Sequence, residues 1–182
     1  MIFERLRGRS ERRKAAASLC HALSARARDE VFFRDFAVAD TLDGRFDLLA
    51  LHGWLVLDEL ERRRARALAQ GVLDALFVQL EGALRDLGVG DMGLGRRMKA
   101  MASAFFGRRQ AYRAAADETA LAAAIARNLF RSANHALERS VVLARYANSA
   151  RAHLVQSRLE QGEIDFGPLP DAVGVDDRET TP

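Results

Sequence analysis

Apolar residues recur along this chain at steps of three and four, the period of a helix buried on one face. Residues 11–28 follow it, with Leu19, Ala22, Leu23 and Ala25–Ala27 on the apolar side. Residues 29–39 interrupt it, and Val31, Phe32, Phe33 and Phe36 read as apolar plugs at a turn that seals the start of the core. A second long helix is predicted from Asp40 to about Arg66. Asp40 suits its N-cap, and Asp43 three residues on can reach back as in a capping box. From Leu48 to Leu57 this helix is apolar on nearly every face, which makes it the central element. That run is half the length of about 20 residues needed to span a membrane, so it reads as a core helix.

Residues 67–87 carry Leu68, Val72, Leu76, Leu80 and Leu84 at steps of four, widened by Leu73, Phe77 and Leu87. The glycine-rich stretch 88–95 stops this helix, and Gly88 is placed for a left-handed cap. A further helix over 94–117 has the stripe Leu94, Met98, Met101, Phe105, with Gly107 a point where it can kink. Asp117 or Thr119 can cap the alanine-rich helix 118–131, and a last helix covers about 134–161. The expected fold class is all-α, a single compact helical bundle of six or seven helices over residues 11–161. A basic arm, 1–10, precedes it, and an acidic, loosely ordered tail, 162–182, follows.

Composition strengthens the helical reading. All three prolines (Pro168, Pro170, Pro182) fall late in the chain, and the abundant Ala, Leu, Arg and Glu are good helix formers. This composition argues against a sandwich, a barrel or a collagen-like chain. Charge adds an asymmetry. The net +3 comes from 28 basic and 25 acidic side chains. Residues 1–14 hold six basic and two acidic, whereas residues 160–182 hold one basic and seven acidic. In the arm, Ile2, Phe3 and Leu6 can share one face among arginines, a pattern that fits either an anionic membrane surface or a solvated end. No secretory signal pattern is present.

Catalytic and metal chemistry find little support. Cys20 is the sole cysteine, so neither an internal disulfide nor a cysteine-rich zinc site is expected. His21, His52, His135 and His153 lack the spacing of a helical metal site, and no metal or cofactor is expected. Adjacent Cys20 and His21 would point about 100° apart on a helix. Gly88-x-Gly90 has no preceding strand and no following Lys-Ser/Thr, so it is no phosphate loop. The expectation is a protein that is not an enzyme.

Two groups stand out as candidate binding residues. Arg45 and His52 lie two turns apart on the apolar helix, where an unpaired polar group costs several kcal/mol. Pairing of Arg45 with a carboxylate such as Asp43 or Asp91 accounts for it structurally; a partner-receiving surface is the alternative. Phe105, Phe106 and Tyr112 stand beside Arg108, Arg109 and Arg113, the mixture enriched in protein interfaces. One phenylalanine is expected to plug the core while the other, with Tyr112 and Trp54, lines an apolar groove; packing of both in the core is the alternative. Arg96, Arg97, Lys99, Arg109 and Arg113 form the expected basic surface.

Leu42-Asp-Gly-Arg-Phe-Asp47 with Leu51-His52, then Ala69-Gln70, Leu84-Arg85, Gly88-Val-Gly-Asp91, Arg97-Met-Lys-Ala-Met101 and Phe105-Phe-Gly-Arg108 with Tyr112, in that order, resemble the ubiquinol–cytochrome c chaperone family. The resemblance spans about residues 20–150 and points to a bacterial-type member. It implies an all-helical, non-enzymatic chaperone that binds newly made cytochrome b and promotes assembly of ubiquinol–cytochrome c oxidoreductase. The family's mitochondrial members act with a smaller partner near the ribosome exit. Contact with the inner membrane or a ribosome, at a cytoplasmic location, is expected here, and DNA is not an expected partner. The rival reading is an RNA- or ribosome-binding helical protein.

Overall fold

The computed structural model describes residues 2–131 and 136–171, with side chains from residue 7 onward; His135 lies outside the described residues. The elements are α1 (Ile2–Arg26), α2 (Glu30–Arg34), α3 (Leu42–Arg62), α4 (Arg66–Asp86), α5 (Asp91–Arg113), α6 (Glu118–Ile125) and α7 (Ala136–Gln156). A π turn, Ala126–Phe130, extends α6, and a short 3₁₀ turn, Leu159–Gln161, follows α7. The fold is all-α, six longer helices and the short α2 in one bundle.

α3 is the axis of this bundle, and α1, α4, α5, α7 and the π turn all pack on it. Its continuous apolar run dictates the position, because Leu48–Leu57 has no polar face to leave in water. Burying each such Leu or Val contributes about 1.5–3 kcal/mol. α4 is long and apolar enough to cross a membrane by length and composition, yet its Leu68, Val72, Leu76, Leu80 and Leu84 face the bundle.

Four local features differ from the sequence reading. The N-cap of α3 is Thr41, whose hydroxyl accepts from the Gly44 N–H at 3.2 Å. Asp40, the expected cap, instead forms a two-point pair with Arg45, at 2.6 and 3.2 Å. α5 begins at Asp91, whose carboxylate suits the positive end of the helix and also meets Arg85 at 2.9 Å. It then runs through Gly107 without a break. α1 reaches back to Ile2, so the basic arm is helical and continuous with the first core helix. Gly88 does end α4 in the left-handed conformation (φ 79°), with N–H groups of Gly88 and Val89 donating to Arg85 and Leu84.

Helix α1 runs parallel to α4. Ala16 packs on Gly71, where an added Cβ would meet it at 3.0 Å, and Ser24 donates to Gln79 at 3.0 Å. Residues 162–171 fold back on the bundle. Phe166 is buried, and His153 Nδ1 lies 3.0 Å from Asp165. Gly167 (φ 70°) passes so near the His153 ring that a Cβ would lie 2.5 Å from it. Residues 172–182 of the expected tail lie outside the described residues.

Candidate functional site

An apolar groove of about 440 Å³ opens between the end of α1, the start of α3 and the second half of α4. Its floor is Phe46, Leu49 and Leu80, all buried, with Ala27 and Ala83 beside them. Leu42 and Leu87 stand at its mouth, 41% and 62% exposed. Each is outside water's reach only if something covers it. Leu42 is the first residue of α3, and Leu87 lies where Gly88 turns the chain away, so neither can fold inward. Charges rim the groove: Arg28, Asp86, and the Arg45–Asp40 pair. Arg45 also stands 5.8 Å over the Phe33 ring and holds the Asp40 carboxyl below its usual pKa.

The expected site residues divide sharply. Arg45 is exposed at the groove rim, paired with Asp40 and not with Asp43 or Asp91. His52, two turns further along the same side of α3, is fully buried beneath α2, α7 and Phe166. Its Nδ1 lies 2.8 Å from the Leu48 carbonyl and its Nε2 2.9 Å from the Tyr146 hydroxyl. A carbonyl only accepts, so Nδ1 carries the proton and Nε2 accepts from Tyr146. Phe32 and Phe166 stand edge-on to the imidazole, each 5.4 Å away. Burial pushes the His52 pKa down to about 4, so the ring is neutral. Arg45 and His52 therefore do not share a surface.

Trp54, Phe105 and Tyr112 are buried and do not line an open groove. Trp54 and Tyr112 pack on each other at 5.3 Å, with Arg151 over the indole. Phe105 fits against Gly53, where an added Cβ would be 3.0 Å from the ring. Phe106 alone of the four is exposed, at 44%. It meets Phe77 and Phe105 at 6.3 and 5.7 Å, an aromatic trio in the α4–α5 seam. Helix periodicity forces this split, since neighbouring residues point about 100° apart.

The basic surface is also divided. Arg108 turns inward, with Nη2 2.6 Å from the buried carboxylate of Asp47 and its guanidinium 5.1 Å from the Phe46 ring. Arg131, left-handed at the end of the π turn (φ 54°), adds contacts to Asp47 and Asp43. Burial still lifts the Asp47 carboxyl above its usual pKa, and the two arginines only partly offset it. Arg109 meets Glu61 at 2.5 Å with 14% of its side chain exposed. Arg113 bridges Asp58 and Glu61. These three are neutralised between α3 and α5, because the carboxylates of α3 occupy the facing turns. Arg96, Arg97 and Lys99 remain exposed, and no described carboxylate pairs with them.

Sequence reasoning missed Leu42 and Leu87 as groove residues. The usable signal was a large apolar residue at each helix terminus, where packing is least complete. It also missed Arg63, a clamp on α7. Among the described residues no group of three His, Cys, Asp or Glu is gathered for a metal ion.

Residues 34–161 match the family described as Ubiquinol-cytochrome C chaperone. The chain is similar to the Cbp3 homolog from Brucella abortus, whose crystal structure superposes with a TM-score of 0.79. The two are 34% identical, and the match covers 92% of this chain and 97% of that one. No curated protein matches.

Proposed function

Because the chain belongs to the ubiquinol-cytochrome C chaperone family, we propose that it holds newly made cytochrome b by stoichiometric binding, without catalysis, while ubiquinol–cytochrome c oxidoreductase is assembled. Its setting is the cytoplasmic face of the inner membrane. The observation that carries the binding site is the groove between α1, α3 and α4. An apolar client segment laid there covers Leu42 and Leu87, two side chains that the bundle itself leaves in water. Arg28, Arg45 and Asp86 at the rim orient polar groups that flank such a segment. Phe106, on α5, offers a separate aromatic contact.

A photo-crosslinker placed at Leu87 in the native host tests this. It should capture cytochrome b, while one at Leu137, equally exposed on α7, should not. Deletion of the gene should lower the assembled oxidoreductase and spare unrelated respiratory complexes. Normal levels of the assembled complex in the deletion strain would sink the reading. The RNA-binding alternative is weakened because Arg108, Arg109 and Arg113 are spent on carboxylates. RNA affinity falling steeply with salt would revive it.

A further inference from the structure

We propose that the pocket where α3 ends, α4 begins and α5 ends is a binding site for a phosphate monoester. It encloses about 630 Å³ and lies at the opposite end of α3 from the apolar groove. Its lining is of two kinds. Leu57 and Ala69, both buried, and the half-buried Leu73 give one apolar wall. Arg62, Arg66, Arg109 and Arg113 stand around it with Asp58 and Glu61. Four guanidiniums against two carboxylates leave an excess of two positive charges.

The carboxylates are already answered. Asp58 meets Arg113 at 3.1 Å and Arg151 at 3.7 Å, and Glu61 meets Arg113 at 2.9 Å and Arg109 at 2.5 Å. The guanidiniums are not. Arg66 is exposed and pairs with no described carboxylate. Arg62 spends Nε and Nη2 on Glu59, outside the pocket, and keeps Nη1. Arg109 has only 14% of its side chain exposed, and its Nη2 abuts Glu61. Yet among the described residues no acceptor is aligned with its Nε or Nη2. Its charge is matched while its donors are not, and buried donors in folded chains normally have acceptors. A cationic or amine ligand is disfavoured, because the carboxylates have no free charge to offer it. Arg62, Arg66 and Arg109 come from three different helices and so approach from three directions. A planar carboxylate accepts in one plane, whereas a tetrahedral phosphate accepts all round and suits guanidinium forks. A phosphate monoester also carries about two negative charges at neutral pH, matching the excess. The apolar wall receives the organic part of the ester.

Isothermal titration of the whole chain at constant ionic strength tests this. Glycerol 3-phosphate is the soluble probe, and vesicles containing phosphatidic acid are the lipid one. No client is present, so this site and the proposed function can fail separately. Saturable binding is expected, and the tighter probe identifies the source of the phosphate. Acetate should not compete. Arg66→Gln should weaken binding about fivefold, the upper end for one exposed charge pair. Arg109→Lys keeps the charge beside Glu61 but loses the planar fork, and should weaken binding at least as much. The control Arg96→Gln, Arg97→Gln, exposed at the far end of α5, should bind as wild type. Circular dichroism of the Arg66→Gln variant should match wild type, since that side chain is solvated. Absence of saturable binding for both probes overturns the proposal. So does an equal loss in the control, or wild-type affinity in both pocket variants.

Discussion

Arg63 donates through Nη2 to the carbonyl of Leu154, at 2.7 Å, although the two lie 91 residues apart. The same guanidinium reaches the carbonyls of Val155 and Ser157 and the carboxylates of Glu59 and Glu160. These carbonyls end α7, where backbone acceptors lack helical donors and the helix is negative. Arg63 thus caps one helix from the end of another. Arg63→Ala should cost about 2–4 kcal/mol, because it also strips a partner from the nearly buried Glu59. Arg63→Lys should recover less than half of this, having no planar fork. Urea midpoints decide it, and an unchanged midpoint for the alanine variant would mean that the clamp adds nothing to stability.

Stability should fall between pH 6.5 and pH 4 through His52. Its folded pKa of about 4 lies below the ordinary 6.5 because burial disfavours the charged ring. As the pH drops, the unfolded chain takes up this proton first. The contribution is therefore complete above pH 6.5, shrinks as the pH falls towards 4, and is level below. The full span is about 3 kcal/mol. His52→Gln should flatten this part of the stability profile. Parallel wild-type and variant profiles would mean that the ring is not held neutral in the fold.

The helices were largely legible in the sequence, because a 3.6-residue stripe sustained over four or five turns fits a helix and little else. Leu68 through Leu84 and the Gly88 stop are examples. The fate of the arginines was not legible. Arg108 and Arg109 look like surface charge until α3 is placed beside α5, because their partners Asp47 and Glu61 lie far off in sequence. Trp54 and Tyr112 read as groove residues for the same reason, since each is covered by the other. Thr41 outcompetes Asp40 as a cap because Asp40 has Arg45 within reach.

Asp47→Asn should destabilise the bundle by about 2–4 kcal/mol, leaving Arg108 mostly buried without a full counter-charge. Adding Arg108→Met should restore part of the loss. A double-mutant cycle with a coupling energy near zero would show that the two groups do not depend on one another.

Gly44→Ala should also destabilise, against helix propensity, which favours alanine by about 1 kcal/mol. A Cβ here would run into the Ala39 carbonyl oxygen, a backbone atom that cannot step aside cheaply. Gly82→Ala, on the surface of α4 with nothing near its Cβ, should stabilise instead. Thermal melts of the two variants should move in opposite directions.

The central position of α3 carries a consequence for how the chain is born. His52 finds its partner Tyr146 only 94 residues later, and Phe166 covers the ring later still. While synthesis proceeds, the central helix α3 waits with one side bare. Folding therefore completes only after the last helix has left the ribosome. This chaperone passes through its own interval as an unfinished chain before it can shelter another.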